Sequence, residues 1–254
     1  MTQSTLQTRR SERGFTLVEL AIVMIIIGLL IGGILKGQEL INNARVSSSV
    51  TQLKGIEAAV NTFKDKYAAL PGDISNASTR LPGCTGAICT TNGNGDGLIQ
   101  TTGGDLGAAQ LTPASGTNET AMFAHLTVAS LLTGAVEPNT AWSLQTSLPD
   151  FNLGGKIRFG YVPNATAQTG QVATANYTGG HYMAVGNGGA ALTASTMSAG
   201  DLANIDRKLD DGMPNTGSVY VAGAAGCASA ATPAGTYSEQ TNPKACGLYV
   251  RALN

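Results

Sequence analysis

From Phe15 to Leu35 the chain reads FTLVELAIVMIIIGLLIGGIL, twenty-one residues with one charge, Glu19, and Lys36 closing the run. A helix of that length spans about 31 Å, close to the hydrocarbon thickness of a bilayer. Beyond Lys36 the pattern changes. Leu53, Ile56, Val60, Phe63, Tyr67 and Leu70 recur at steps of three and four, so one helix face is apolar. Gln52, Lys54, Glu57, Asn61, Lys64 and Asp65 occupy the rest. Leu70-Pro71-Gly72-Asp73 then ends the element, because a residue before proline disfavours the α region. The pattern predicts one helix from Phe15 to Ala69, about 80 Å long, with an apolar half over 15–36 and an amphipathic stalk over 37–70.

The remainder, 71–254, is rich in turns and shorter elements. ETAMFAHLTVASLLTGA (119–135) has apolar residues at helical spacing, with Gly134 as its stop. DLANIDRKLDDG (201–212) is a second short helix. KIRFGYV (156–162), HYMAVG (181–186), SVYVAG (218–223) and GLYVRAL (247–253) are β-branched and aromatic runs bounded by glycine, which predicts four strands. The Gly/Ala/Thr stretches near 101–117 and 186–199 are expected as surface loops. The expected class is α+β: a long N-terminal helix packed on an antiparallel sheet with long loops.

Charge decides orientation. Arg9, Arg10 and Arg13 precede the apolar run, so the N-terminus stays cytoplasmic and the rest is exported. A cleaved secretory signal has an apolar region of only about 7–15 residues followed by small residues, whereas here a longer run meets LKGQELINNARV. Net charge is −1, and removing residues 1–14, with three arginines and one glutamate, leaves −3, which gives nucleic acid no electrostatic hold. Charged residues are 12% of the chain, about half the usual share, so the surface is not built on ion pairs. Two histidines, His125 and His181, lack any motif around them, and there is no GxSxG, HExxH or phosphate loop. The chain is expected not to be an enzyme, and His125 is expected to be a packed or surface residue of its helix.

Glu19 needs a reason, because a carboxylate at the centre of a membrane helix costs about 2.5–3.5 kcal/mol, less near its end. A chain cut just before Phe15 would supply a partner, since the new α-amine lies close to Glu19. RGFTLVEL, residues 13–20, closely resembles the cleavage site of type IV pilins and type II secretion pseudopilins. The resemblance spans about residues 9–40, and the helical stalk extends it to about 70. It implies a leader peptide over 1–14, cleavage between Gly14 and Phe15 by a membrane prepilin peptidase, and N-methylation of Phe15. It also implies that Glu19 pairs with the N-terminal amine of a neighbouring subunit and sets register during filament assembly. The implied fold is pilin-like, with 15–36 as the transmembrane and assembly half, 37–70 as the stalk and 71–254 as the extracytoplasmic domain. The implied function is that of a structural subunit of a type IV pilus-like filament. The alternative is a type II secretion pseudopilin forming a periplasmic piston, and a single-pass anchored binding protein ranks behind both. Implied partners are other pilins or pseudopilins, the prepilin peptidase, the inner-membrane assembly platform with its ATPase, and membrane lipid before assembly. The implied location is the inner membrane and then the cell surface, or the periplasm for a pseudopilin. Two departures stand out: a 14-residue leader longer than many, and Lys36 where many relatives carry a helix-disrupting proline. Gly28, Gly32, Gly33 and Gly37 could loosen the helix instead or form close-packing surfaces between membrane helices.

Export places the four cysteines in an oxidising space, where disulfides are the default. Three connectivities are open, and sequence proximity favours Cys84–Cys89 and Cys227–Cys246. The second resembles the C-terminal disulfide of many pilins. Two histidines and no paired CxxC argue against a cysteine metal site. NGNGDGLI (92–99) resembles the first half of an EF-hand calcium loop: Asn92, Asn94 and Asp96 alternate, Gly97 turns, Leu98 offers a carbonyl and Ile99 plugs the core. The position of the bidentate glutamate is Gly103, so Asp105 or Glu119 would have to reach in. The same residues also make an ordinary turn for backbone reasons alone. LDDGMPNTG (209–217), with Asp210 and Asp211, is a second and weaker acidic turn.

Overall fold

The computed structural model describes residues 14–86, 88–99, 118–133, 148–163, 178–186, 197–223, 226–229, 235–239 and 245–253. The chain divides into two units, Met1–Ala44 and Arg45–Asn254.

Helix α1 covers Leu17–Tyr67, 51 residues, two residues shorter at each end than the pattern predicts. From Leu17 to Leu35 the helix is apolar on every side except at Glu19, and exposed: Leu17, Val18, Leu20, Ile22 to Ile27, Leu29 to Ile31, Ile34 and Leu35 are all open. A Cβ added at Gly28, Gly32, Gly33 or Gly37 would meet nothing within 4 Å. The helix runs through Lys36 without a break, and Lys36 pairs with Glu39 at 2.6 Å on its surface. By length and composition this is a helix able to cross a membrane, with none of its apolar window buried.

Within the second unit α1 acquires an inside. Val46, Ser49, Leu53, Ile56, Ala59, Val60 and Phe63 are buried, at the three- and four-residue spacing of one helix face. Ser49 enters the core because its hydroxyl donates to the Arg45 carbonyl at 2.9 Å, which removes an unpaired polar group. Gln52 ties the helix to the segment before the sheet: its amide donates to the Asp150 carbonyl at 2.6 Å and accepts from the Asn152 amide at 3.1 Å. Ala68 ends α1 in a left-handed turn (φ 50), and the Arg80 guanidinium, at the end of the short helix α2 (Ala77–Arg80), donates to the freed Tyr67 carbonyl.

Among the described residues four antiparallel strands follow: β1 (Lys156–Val162), β2 (Gly180–Gly186), β3 (Val219–Gly223) and β4 (Cys246–Leu253), in the order β1-β2-β4-β3. Alternation sorts the side chains onto two faces. Ile157, Phe159, Met183, Val185, Val219, Val221, Leu248 and Val250 join the core that holds the buried face of α1. Phe159 sits opposite Met183 and Ile157 opposite Val185. The other face is buried too, by Val162, Tyr182, Ala184, Tyr220 and Tyr249. Tyr182 and Tyr220 pack edge to face there with centroids 6.0 Å apart, and the Tyr182 hydroxyl donates to the Thr178 carbonyl at 2.9 Å.

Two helices brace the core and depart from the boundaries read in the sequence. Helix α3 spans Asn118–Val128 and stops before Gly134. Ser130 takes φ 60, its amide donates to the Thr127 carbonyl and the Leu131 amide to the Leu126 carbonyl, both at 3.0 Å. This is a Schellman stop with serine where glycine is usual. Helix α4 spans Ala199–Leu209 and starts inside the stretch expected as loop. Ser198 accepts from the Asp201 amide while the Asp201 carboxylate accepts from the Ser198 amide, a capping box that fixes the start. The expected loops at 101–117 and 187–196 lie outside the described residues.

Candidate functional site

The N-terminal motif is organised by Thr16. Its backbone amide and its hydroxyl both donate to one Glu19 carboxylate oxygen at 2.9 Å, and the Glu19 amide donates back to the Thr16 hydroxyl oxygen at 3.3 Å. This is a capping box, with Thr16 as N-cap and Glu19 at the third helical position. Glu19 therefore satisfies a helix-end donor that lipid could not. The signal was present in the sequence as Thr-x-x-Glu. Gly14 and Phe15 precede the helix and are exposed. Residues 1–13 of the expected leader lie outside the described residues.

In the second unit the loop 92–98 closes around an internal carboxylate. Asp73, in the turn that ends the stalk, is buried and accepts from the Gly95 amide at 2.9 Å and the Gly97 amide at 2.7 Å. Asn92 accepts from the Ala77 amide at 3.0 Å, at the start of α2. Asn94 donates to Asp96 at 2.7 Å, and Asp96 accepts from the Leu98 amide at 2.8 Å. Ile99 is buried, as its place in the motif suggests. Glu119 belongs to α3, but its side chain and the whole of Asp105 lie outside the described residues. A cation in this loop would compete with two backbone amides for Asp73, the carboxylate that reading the loop by itself misses.

Residues 9–35 match the family model described as prokaryotic N-terminal methylation motif. The chain carries the type IV pilin and pseudopilin signature. No curated protein and no solved structure matches it. The signature marks a substrate of prepilin peptidase that assembles with other pilins, and with the apolar helix it indicates insertion into a membrane before assembly.

This pilin-like chain holds its second unit together with both disulfides that sequence proximity favours. Cys84–Cys89 and Cys227–Cys246 are formed, with Cα separations of 5.3 and 5.7 Å, and there is no free cysteine. The second ties β4 to the segment after β3. Both histidines serve backbone groups. His125 is buried in α3, accepts from the Gly72 amide at 2.9 Å and donates from Nε2 to the Cys89 carbonyl at 2.8 Å. It thus joins the end of the stalk to the first disulfide. Burial pushes its pKa down to about 4, against the contrary pull of the Cys89 carbonyl. His181 on β2 accepts from the Ile99 amide at 3.2 Å, and burial, then Lys64, push it down to about 4, with Asp96 opposing. In the last turns of α4, Asp206 is fully buried and accepts from the Tyr237 hydroxyl at 2.7 Å. Burial pushes this carboxyl up to about 6, opposed by the Tyr237 bond and the nearby Gly212 amide and helped by Asp211 and Asp210. The acidic turn signals Asp210 and Asp211 alone, because Asp206 sits among helical residues.

Proposed function

We propose that the chain is a structural subunit of a type IV pilus-like filament, cut between Gly14 and Phe15, methylated on Phe15 and polymerised through α1. The observation that carries this reading is the pairing of the methylation motif with a helix half whose large apolar residues are exposed on every side. In a bilayer those residues meet lipid; in a filament they meet copies of the same helix. Glu19 then has two tasks. Before assembly its carboxylate is held by Thr16. On assembly the same carboxylate exchanges that capping role for the amine of a neighbouring Phe15, a charge pair that apolar surroundings favour over separated charges. An inner-membrane platform and its ATPase supply the work. Both histidines are committed to backbone partners, which supports a structural rather than a catalytic role.

The test is Glu19→Gln in the native cell. The amide keeps the size and most of the capping but cannot form the ion pair. We expect processing to continue while filaments in the sheared surface fraction fall at least tenfold. Undiminished filaments would remove Glu19 from assembly. Filaments found only inside the periplasm, with normal secretion dependent on them, would favour the pseudopilin role over the pilus.

A further inference from the structure

The turn after α4 brings three carboxylates together. One carboxylate oxygen from each of Asp206, Asp210 and Asp211 lies within 4.8 Å of the other two. Asp206 is the unusual member. Its residue is fully buried, and its Oδ1 reaches no hydrogen-bond partner, while Oδ2 takes the Tyr237 hydroxyl. A buried acceptor left unbonded costs free energy unless something neutralises it. The one basic residue beside it in sequence, Arg207, is directed to Glu239 at 2.5 Å.

The flanking carboxylates are fixed from outside. The Ser218 amide donates to Asp210 Oδ2. Asp211 accepts from the Met213 amide at 2.8 Å and the Thr216 hydroxyl at 2.6 Å. Each of these oxygens has a second lone pair beyond the bond it makes. Gly217 has φ +62, and a Cβ there would overlap the Asp210 carboxylate. The same turn also buries Asn215, with neither amide atom bonded.

We propose that Asp206, Asp210 and Asp211 form a binding site for a hard divalent cation of calcium's size, with the unbonded Oδ1 of Asp206 as its inner ligand. Hard cations of this kind take six to eight oxygens, from carboxylates, carbonyls and water. Three carboxylates supply the charged part of that shell, and water at the exposed Asp210 and Asp211 side supplies the rest. Three anionic ligands on a solvent-open turn suit the affinity range of extracellular modules, about 10⁻⁴–10⁻³ M. Bound there, the cation clamps the end of α4 to the turn that enters β3, and through Tyr237 to the segment beyond the Cys227 disulfide.

The test uses the processed full chain in detergent, with calcium chloride, magnesium chloride or EDTA as the only variable, and terbium chloride as a second probe. At 10 mM calcium the unfolding midpoint should rise by about 4 °C over EDTA, with magnesium giving less. Terbium should show luminescence excited through tyrosine, because the Tyr237 hydroxyl is bonded to Asp206, and Tyr237→Phe should reduce it severalfold. Asp206→Asn should match or exceed the wild-type midpoint in EDTA, since it removes an uncompensated buried charge, yet lose the calcium response. Asp211→Asn, at an exposed ligand, should lose most of the response as well. Asp96→Asn should keep it. A wild-type midpoint that ignores 10 mM calcium overturns the proposal. So does a response that survives Asp206→Asn and Asp211→Asn, or one that Asp96→Asn abolishes, which would move the cation to the 92–98 loop.

Discussion

Acid should weaken the second unit through His125, and the size of the effect can be worked from its contacts. Nδ1 accepts from the Gly72 amide and Nε2 donates to the Cys89 carbonyl, so the fold holds the neutral ring with its proton on Nε2. A second proton on Nδ1 would face an amide hydrogen in a buried place. Burial penalises the charged ring, with the Cys89 carbonyl opposing, and the folded value sits at about 4 against the ordinary 6.5. The unfolded chain binds a proton at a higher pH than the folded chain does. The contribution is therefore complete above pH 6.5 and is lost as pH falls from 6.5 through about 4. The interval between those values corresponds to about 3 kcal/mol. His181 acts with the same sign over the same window, whereas Asp206, whose carboxyl is pushed up to about 6, gains stability on acidification. Only a comparison isolates His125. Urea unfolding followed by circular dichroism, on wild type and His125→Gln at pH 7 and pH 4, gives the difference in pH dependence. Glutamine offers a donor and an acceptor but no titration. Wild type should lose about 3 kcal/mol more than the variant between the two pH values. Equal losses, or a His125 ring that titrates near 6.5 by nuclear magnetic resonance, would refute the reasoning.

The two disulfides should differ in worth. Closing a loop whose ends are 19 positions apart in sequence constrains the unfolded chain by about 3 kcal/mol, and the five-position separation of Cys84–Cys89 by about 2 kcal/mol. Paired Cys→Ser variants compared by urea midpoint should rank in that order, and a reversed ranking would mean that native contacts rather than loop length dominate. Asp73→Asn removes the charge that accepts the Gly95 and Gly97 amides and should cost about 2 kcal/mol. An unchanged midpoint would show that the loop does not depend on Asp73.

What the sequence disclosed follows the range of the interactions. The apolar run and the stalk stripe are local patterns carried over dozens of residues, so α1 was legible nearly to its ends. All four strands were legible within a residue, because β-branched and aromatic runs between glycines leave little choice. Local signals were misread where a residue did an uncommon job. Ser130 takes the left-handed position that Gly134 advertised, and Ser198 with Asp201 starts α4 inside what looked like a loop. The remaining features are tertiary and had no local trace. Asp73 meets its loop more than twenty residues away, His125 reaches back 53 residues to Gly72, and Asp206 finds Tyr237 at a separation of 31. The second buried face of the sheet was hidden for a related reason: Tyr182, Tyr220 and Tyr249 read equally well as outward-facing strand residues.

The central claim is that this chain enters a filament after losing its leader, and the mass of its N-terminal peptide from the native cell envelope tests it most directly. A peptide that begins at Phe15 and carries one added methyl group is the result predicted here. A peptide that still begins at Met1, in cells with active prepilin peptidase, would contradict it and leave Glu19 with its helix-capping role alone.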